Sequence, residues 1–485
     1  MSALLERPAQ SRRFAPSDQP DRAEPLSPLE RLEALCDPGS LQLIRTEVLS
    51  PAMGEKARQG DGVLGGSGTV GGRPVFCYAQ DPRYAGGSLG EPHADTIARV
   101  LELADRGRAP VVGFVSSGGA RMQEGIGALG GYGRIFRRTV ALSGKVPQIS
   151  IVTGLSAGGG AYSPALTDWV LMTEEASMFL TGPGVVREAL GETVDAETLG
   201  GAKVHQRNGV CHFVAQDDVD AARLARDLLG FLPSHSGESA PHVQRRPPSG
   251  ADAELLVPAE QRKVYDIRDV IASIVDGGEL LEVSGGWARN LVTGFARLDG
   301  RTVGVVANQP RYLGGVLDVA SSEKGARFVS KCNAFGIPLL VFVDTPGYMP
   351  GVRQESAGVI RAGASFVHAF AQAEVPRITV IVRKAFGGAF ITMNSKDLGA
   401  DYVFTWPTAE IGIMGAKPAV GVTHRRQLAA AEDPEAERER LAAHYAETQL
   451  RPEVAAARGF VDEPISPGDT RARLVWAYNS LAPAR

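Results

Sequence analysis

The chain repeats itself, and this constrains its fold more than any other feature. Residues 82–87 read Pro-Arg-Tyr-Ala-Gly-Gly, and residues 310–315 read Pro-Arg-Tyr-Leu-Gly-Gly, 228 positions later. The same spacing relates Gly72-Arg73 to Gly300-Arg301, and VVGFVSSGG around Phe114 to LLVFVDTPG around Phe342. Farther on, Val146-Pro147 opens the run QISIV as Val375-Pro376 opens RITVIV. These runs end in Gly159-Gly160-Ala161-Tyr162 and Gly387-Gly388-Ala389-Phe390. So many matches in one order imply two homologous halves. Between them, residues 233–258 are rich in Pro, Ser, Gly and charge, a linker composition. The expected organisation is a disordered leader over 1–28, an N-terminal domain over 29–232, the linker, and a C-terminal domain over 259–485.

Each half alternates apolar runs with helical patterns. Ile97, Val100, Leu101 and Ala104 follow i, i+3, i+4, i+7 spacing, so an amphipathic helix is expected there. A second is expected to carry Ile126, Leu129, Tyr132 and Ile135. Runs such as ISIV and ITVIV are uniformly apolar and β-branched, which implies strands covered on both faces and an α/β layered architecture.

Bulk properties exclude several functions. A net charge of −4 and a pI near 6.1 give no electrostatic footprint for nucleic acid. No apolar run approaches the roughly 18–20 residues of a membrane span. Cys36, Cys77, Cys211 and Cys332 form no CxxC pair, so no metal site is expected, and free thiols suit a reducing compartment. A cytoplasmic location is expected.

Glycine clusters follow a buried strand in both halves, GLSAGGGAYSP at 154–164 and KAFGGAFITM at 384–393. The segment after each cluster reads as helix, whose first N–H groups lack internal partners. Such a loop can cradle a carbonyl oxygen as it gains negative charge. A tight strand-to-helix turn that needs small residues for packing is the plainer alternative for either loop alone. Two other patterns compete. Gly66-Ser67-Gly68-Thr69-Val70-Gly71 fits GxGxxG, but a strand-like Pro74-Val75-Phe76 follows it, so it is rejected as a dinucleotide site. Gly154-Leu155-Ser156-Ala157-Gly158 fits the GxSxG of serine hydrolases, with Asp168, His205 and His212 as triad partners. The second half has Ala385 and Phe386 there and no serine, which weakens the hydrolase reading.

Taken together these residues resemble the carboxyltransferase β subunits of biotin-dependent acetyl- and propionyl-CoA carboxylases. The likeness runs from about Leu29 to about residue 475. It rests on GGSLGE at 86–91, SGGARMQEG at 117–125, AGGGAYSPALTD at 157–168, TGPGVV at 181–186 and LGGAKVH at 199–205. The second half adds NQPRYLGG, SSEKGARFV, VDTPGYMPG at 343–351, RKAFGGAF and WPTAEIGIMG at 406–415.

The resemblance implies two tandem crotonase-like (ββα-superhelix) domains, the first holding the acyl-CoA thioester and the second holding biotin. It places one oxyanion pair on Gly158 and Gly159, for the thioester oxygen, and a second on Gly388 and Ala389, for the biotin ureido oxygen. The biotin nitrogen itself would take the α-proton. Ser117, Gly118, Gly119, Ala120, Arg121 and Tyr162 would lie along the CoA or acyl portion. Arg121 could equally be a capping or ion-pairing residue, and Ser116 stands where the family usually has aspartate. Thr345, Pro346, Gly347, Tyr348 and Gly387 would line the biotin pocket, unless the Pro-Gly pair is only a sharp turn. Ile391 falls where the family selects acyl chains, with core packing as the alternative. The chain has no biotin-accepting Met-Lys-Met segment, so carboxybiotin would be supplied in trans by a biotin carboxylase or biotin carboxyl carrier subunit. A homo-oligomer is expected, a dimer at least and a hexamer by likeness. The same chemistry run backwards, as a decarboxylase component, is the alternative.

Overall fold

The computed structural model describes residues 25–261 and 263–481; the expected leader lies outside these as far as residue 24. The chain divides into two compact units at Pro241/His242, and the short segment Ala334–Gly336 belongs with the first.

The first unit opens on helix α1 (Pro28–Leu35), whose Ser27 and Glu30 form a capping box that satisfies two orphan donors. Its sheet contains β1 (Gln42–Ile44), β2 (Val63–Val70), β3 (Arg73–Gln80), β4 (Val111–Ser117), β5 (Gln148–Ala157), β6 (Trp169–Thr173), β7 (Ser177–Phe179) and β8 (Phe213–Ala215). The strand order is β1-β2-β3-β4-β5-β6-β8, with β7 beside the far end of β5. β1 to β3 run antiparallel and the remainder parallel. Gly71-Gly72 joins β2 to β3 with both φ angles positive, the two-residue hairpin that glycine favours. The GxGxxG segment therefore lies in β2 and this turn, as its rejection required. Helices α2 (Glu91–Gly107) and α3 (Ile126–Leu142) cross between the parallel strands.

Every residue of β4 is buried, and Ile97, Val100, Leu101 and Ala104 are the buried stripe of α2. Burying one such Val, Leu or Ile contributes about 1.5–3 kcal/mol, which fixes each helix against its sheet. The expected stripe of α3 is only half correct. Tyr132 and Ile135 are buried, but Ile126 and Leu129 are exposed, and Ala128 and Gly131 face inward instead. A Cβ at Gly131 would lie 2.6 Å from that of Ala94. The two helices approach so closely that only small residues fit between them.

The second unit repeats this plan with β9 (Leu280–Glu282), β10 (Leu291–Leu298), β11 (Arg301–Asn308), β12 (Leu339–Thr345), β13 (Arg377–Phe386), β14 (Tyr402–Thr405), β15 (Glu410–Gly412) and β16 (Glu463–Pro464). The order is β16-β14-β13-β12-β11-β10-β9, with β15 beside β13, so each strand has the neighbours of its counterpart. Asp299-Gly300 makes the equivalent hairpin turn. Helices α5 (Val319–Ala334) and α6 (Val359–Gln372) take the places of α2 and α3. Val111 pairs with Gln148, whereas Leu339 pairs with Arg377, so the second half has gained one residue between these strands. β5 and β13 are therefore 229 positions apart. Among the described residues no helix is long and apolar enough to cross a membrane.

Candidate functional site

Both glycine clusters lie at the end of the central parallel strand of their unit. β5 stops at Ala157, Gly158 turns the chain with φ +57°, and helix α4 (Gly159–Ala165) begins. β13 stops at Phe386, Gly387 turns with φ +60°, and helix α7 (Gly387–Thr392) begins. Ala157 pairs with Phe179 on β7 as Phe386 pairs with Gly412 on β15. Gly158 is thus the counterpart of Gly387, one place from the match read off the sequence. Gly159 and Gly160 correspond to Gly388 and Ala389.

This register sets Gly159 and Gly160, rather than Gly158 and Gly159, opposite Gly388 and Ala389. The Gly158 N–H already donates to the Phe179 carbonyl at 3.1 Å, because it completes the strand pairing. The N–H groups that open α4 belong to Gly159 and Gly160. Packing requires glycine at 159, where a Cβ would lie 2.7 Å from ring atoms of Tyr132, and favours it at 160, where a Cβ would lie 3.1 Å from that of Ser117. In the second unit a Cβ on Gly388 would meet nothing within 4 Å. The space above that turn is open.

The loops after β4 and β12 flank these turns and share one hydrogen-bond pattern. Gly119 N–H donates to Ser117 Oγ at 3.3 Å, and Gly347 N–H donates to Thr345 Oγ1 at 3.3 Å. Leu89 N–H reaches the Gly119 carbonyl, and Arg121 N–H reaches that of Leu89; Leu317, Gly347 and Met349 repeat both bonds. The expected ligand contacts of the first loop narrow accordingly. Ser117 is buried with its hydroxyl against Tyr132 Oη at 3.1 Å. Arg121 is an ion-pairing residue: its side chain is fully buried, 2.6 Å from Asp61 and 2.9 Å from Glu124. It also donates to the Ser88 carbonyl. Burial nevertheless raises the Asp61 carboxyl, and the same burial pushes His93 beside it down to about 3. Gly118 is exposed and Ala120 half-buried, so backbone is what this loop offers a ligand.

In the second loop Thr345 is buried, Pro346 is exposed, and Gly347 and Tyr348 are partly covered. Tyr348 Oη donates to Thr392 Oγ1 at 3.0 Å, and Thr392 Oγ1 donates to the Gly388 carbonyl at 3.0 Å. Tyr162 and Ile391 occupy equivalent positions, three residues beyond Gly159 and Gly388, and are 52% and 50% exposed. Half exposure removes core packing as the reason for Ile391. The Tyr162 ring meets Phe136 edge-on at 6.2 Å.

One charged pair behind the second turn was missed in the sequence. Arg383 Nε lies 3.0 Å from Asp344 Oδ2, with both side chains buried. Tyr265 Oη and Lys384 N–H also donate to this carboxylate. Desolvation raises the Asp344 carboxyl against the pull of Arg383. The signal was present: a charge inside LLVFVDT and another inside RITVIVRKAF require a partner when both strands are covered on both faces. The first unit has Ser116 and Gly154 at these places, in contact with each other.

The hydrolase reading fails on geometry. A nucleophile elbow exposes its serine, but Ser156 is 0% exposed within β5, and its hydroxyl has no hydrogen-bond partner. Asp168 accepts from Gln148 N–H, His205 Nε2 faces the Met178 carbonyl, and His212 Nδ1 accepts from Val170 N–H. No triad forms. Ser156→Ala is expected to leave catalysis unchanged and the melting temperature equal or higher, since it removes a buried unpaired hydroxyl. A large loss of carboxyl transfer in an assembled variant would contradict this.

Comparisons with known proteins agree on one family. The model of the carboxyl transferase domain matches residues 24–484. The chain is 47% identical to the methylmalonyl-CoA carboxyltransferase 12S subunit of Propionibacterium freudenreichii subsp. shermanii, covering 94% of this chain and 88% of that one. It is 49% identical to the propionyl-CoA carboxylase carboxyltransferase subunit of Haloferax mediterranei, over 87% and 83% of the two. It is 45% identical to the methylmalonyl-CoA decarboxylase subunit alpha of Veillonella parvula, over 94% and 90%. Among solved structures, transcarboxylase 12S, described as a hexamer assembly with methylmalonyl-coenzyme A bound, superposes with a TM-score of 0.91 at 45% identity. That match covers 95% of this chain and 91% of the other.

Proposed function

With the chain a member of the carboxyl transferase family, we propose that its two strand-end glycine turns are paired oxyanion cradles, one for each reactant. The protein is an enzyme with two crotonase-like domains, and it transfers a carboxyl group between biotin and acyl-CoA. Gly159 and Gly160 hold the thioester oxygen while the α-carbon becomes an enolate. Gly388 and Ala389 would hold the ureido oxygen of biotin, and the open space above Gly388 fits a ring there. Bound biotin supplies the activated carboxyl group. Negative charge develops on these oxygens only during reaction, so amides fixed in advance favour the transition state over the ground state. Pro346, Gly347 and Tyr348 line the biotin side, with Gly387 making the turn beneath. Gly118, Gly119 and Ala120 offer backbone to the acyl-CoA, and Tyr162 offers its exposed ring. The observation that carries this reading is the recurrence of one strand, turn and helix in both units, each with its leading amides uncommitted.

Biotin would arrive on a separate biotin carboxyl carrier or biotin carboxylase subunit. A homo-oligomer, hexameric like transcarboxylase 12S, is supported by exposed apolar side chains such as Met122, Ile126, Val352, Ile360 and Ile413. The likeness to a decarboxylase subunit favours a second reading in which the same cradles work in the opposite direction. Reconstitution with a biotinylated carrier, biotin carboxylase, bicarbonate and ATP over a panel of acyl-CoAs tests the assignment. Carrier-dependent carboxylated product is expected, and hydrolysis to free acid without it would overturn the reading.

Ile391, half exposed three residues after Gly388, would select the acyl chain. Ile391→Asp is expected to lower activity on acetyl-CoA and longer acyl-CoAs relative to propionyl-CoA by about tenfold or more. An unchanged ratio would remove this role.

A further inference from the structure

Two tyrosines reach the glycine turns of their units from different elements, Tyr132 from a helix and Tyr348 from a loop. The buried stripe of α3 includes Ala128, Gly131, Tyr132, Ile135 and Thr139; that of α6 includes Val359, Ala362, Gly363, Phe366 and Phe370. Matched in order, these stripes put Gly363 where the first unit has Tyr132. The loops match as well: Leu89 bridges to Ala120, and Leu317 bridges to Tyr348. Where the first unit has tyrosine on the helix and alanine in the loop, the second has glycine on the helix and tyrosine in the loop.

The two side chains hold different groups beside their turns. Three ring atoms of Tyr132 lie 2.7 Å from where a Gly159 Cβ would be, and its hydroxyl is 3.1 Å from Ser117 Oγ. The Tyr348 hydroxyl lies 2.9 Å from where a Gly363 Cβ would be, and it donates to Thr392 Oγ1 at 3.0 Å. Ser163 is the counterpart of Thr392, and it lines a small internal cavity with Tyr132, Gly160, Leu89 and Val115. A tyrosine in the Ala120 position would find a hydroxyl partner in the first unit too.

We infer that Tyr132 and Tyr348 are equivalent positioning residues, exchanged between helix and loop, each bracing the turn that presents the two amides of its cradle. Tyr132 acts through Gly159 and Ser117, and Tyr348 acts through Thr392 and the Gly388 carbonyl. Neither is given a proton to move. The inference rests on the reading of the glycine turns as oxyanion cradles.

The test uses the assembled enzyme with biotinylated carrier, biotin carboxylase, bicarbonate, ATP and propionyl-CoA. Tyr132→Phe keeps the ring beneath Gly159 and loses only the bond to Ser117. Its kcat is expected to fall about tenfold, with KM for propionyl-CoA within about twofold, because a displaced amide weakens transition-state binding more than substrate binding. Tyr132→Gly is expected to fall about a hundredfold. The double variant Tyr132→Gly/Ala120→Tyr, which transplants the second unit's arrangement, is expected to regain at least about tenfold of that loss.

Wild-type kcat in Tyr132→Phe would overturn the inference. So would a change confined to KM, or a double variant that assembles and melts normally yet is no more active than Tyr132→Gly. Should Tyr132→Gly fail to assemble, recovery of assembly and activity in the double variant supports the exchange, and a double variant that still fails counts against it. A wild-type enzyme that carboxylates no acyl-CoA would refute the cradle reading itself, whereas an active one indifferent to Tyr132 refutes only the exchange.

Discussion

Gly388→Leu is expected to reduce carboxyl transfer by about 10²–10³-fold while the protein assembles and melts as the wild type does. Removal of one preorganised oxyanion donor typically costs about 2.7–4 kcal/mol of transition-state stabilisation. A leucine at this position would obstruct rather than remove the donor, and the loss should be at least as large. What makes this variant informative is the absence of a structural cost. Gly388 lies within α7 and outside the positive-φ region, and a Cβ there meets no atom within 4 Å. Leucine is also a good helix former. Gly159 offers no such test, because any Cβ there collides with the Tyr132 ring and confuses folding with catalysis. Steady-state rates with the reconstituted carrier, beside melting curves and the assembly state, check the expectation. Full turnover in a normally assembled Gly388→Leu enzyme would remove the second cradle from the mechanism.

Arg383→Met is expected to lower stability by about 3–5 kcal/mol, because it takes from the buried Asp344 carboxylate the nearer of its two cations and the one that hydrogen-bonds to it. Asp344 is 0% exposed, and Arg383, 2% exposed, also donates to the Lys263 carbonyl at 2.8 Å. The remaining partners are the neutral donors Tyr265 Oη at 2.9 Å and the backbone N–H of Lys384 at 3.2 Å, and the Lys384 ammonium at 3.9 Å, which is too distant to replace the hydrogen bond from the guanidinium. Desolvation already raises the carboxyl, so loss of the arginine would drive it further toward the protonated form. Adding Asp344→Leu to Arg383→Met should recover part of the loss, since an apolar pair avoids the isolated charge. For a unit of this size the single variant should melt roughly 10 °C lower. A change below about 1 kcal/mol by urea unfolding would mean that the pair is solvated or replaced by other contacts.

Much of the architecture was legible in the residues. The doubled motifs announced two homologous halves, and the two β-sheets have the same strand order. The uniformly apolar runs around Phe114 and Phe342 became the fully buried strands β4 and β12. The glycine clusters fell at strand ends, as their spacing required. Register was less legible. A single added residue between β12 and β13 moved the match of the glycine turns by one place, and with it the choice between Gly158 and Gly160. Which amide is already spent on strand pairing depends on β7, a three-residue strand with no strong pattern of its own. The sequence left Arg121 open between ligand and ion pair: Glu124 stands three residues on, but Asp61, the nearer partner, lies 60 residues away.

Local composition and periodicity thus determined the strands, the helices, the duplication and the kind of loop at each strand end. These arise from short-range sterics and from the need to bury apolar faces, which neighbouring residues encode. Tertiary structure alone decided which groups remain available for chemistry. Ser117 and Arg121 are spent on internal bonds, Ser156 is sealed inside a strand, and the leading amides of α4 and α7 are left uncommitted. Availability depends on what distant segments bring within hydrogen-bond reach, and that becomes defined only when the sheet closes around them.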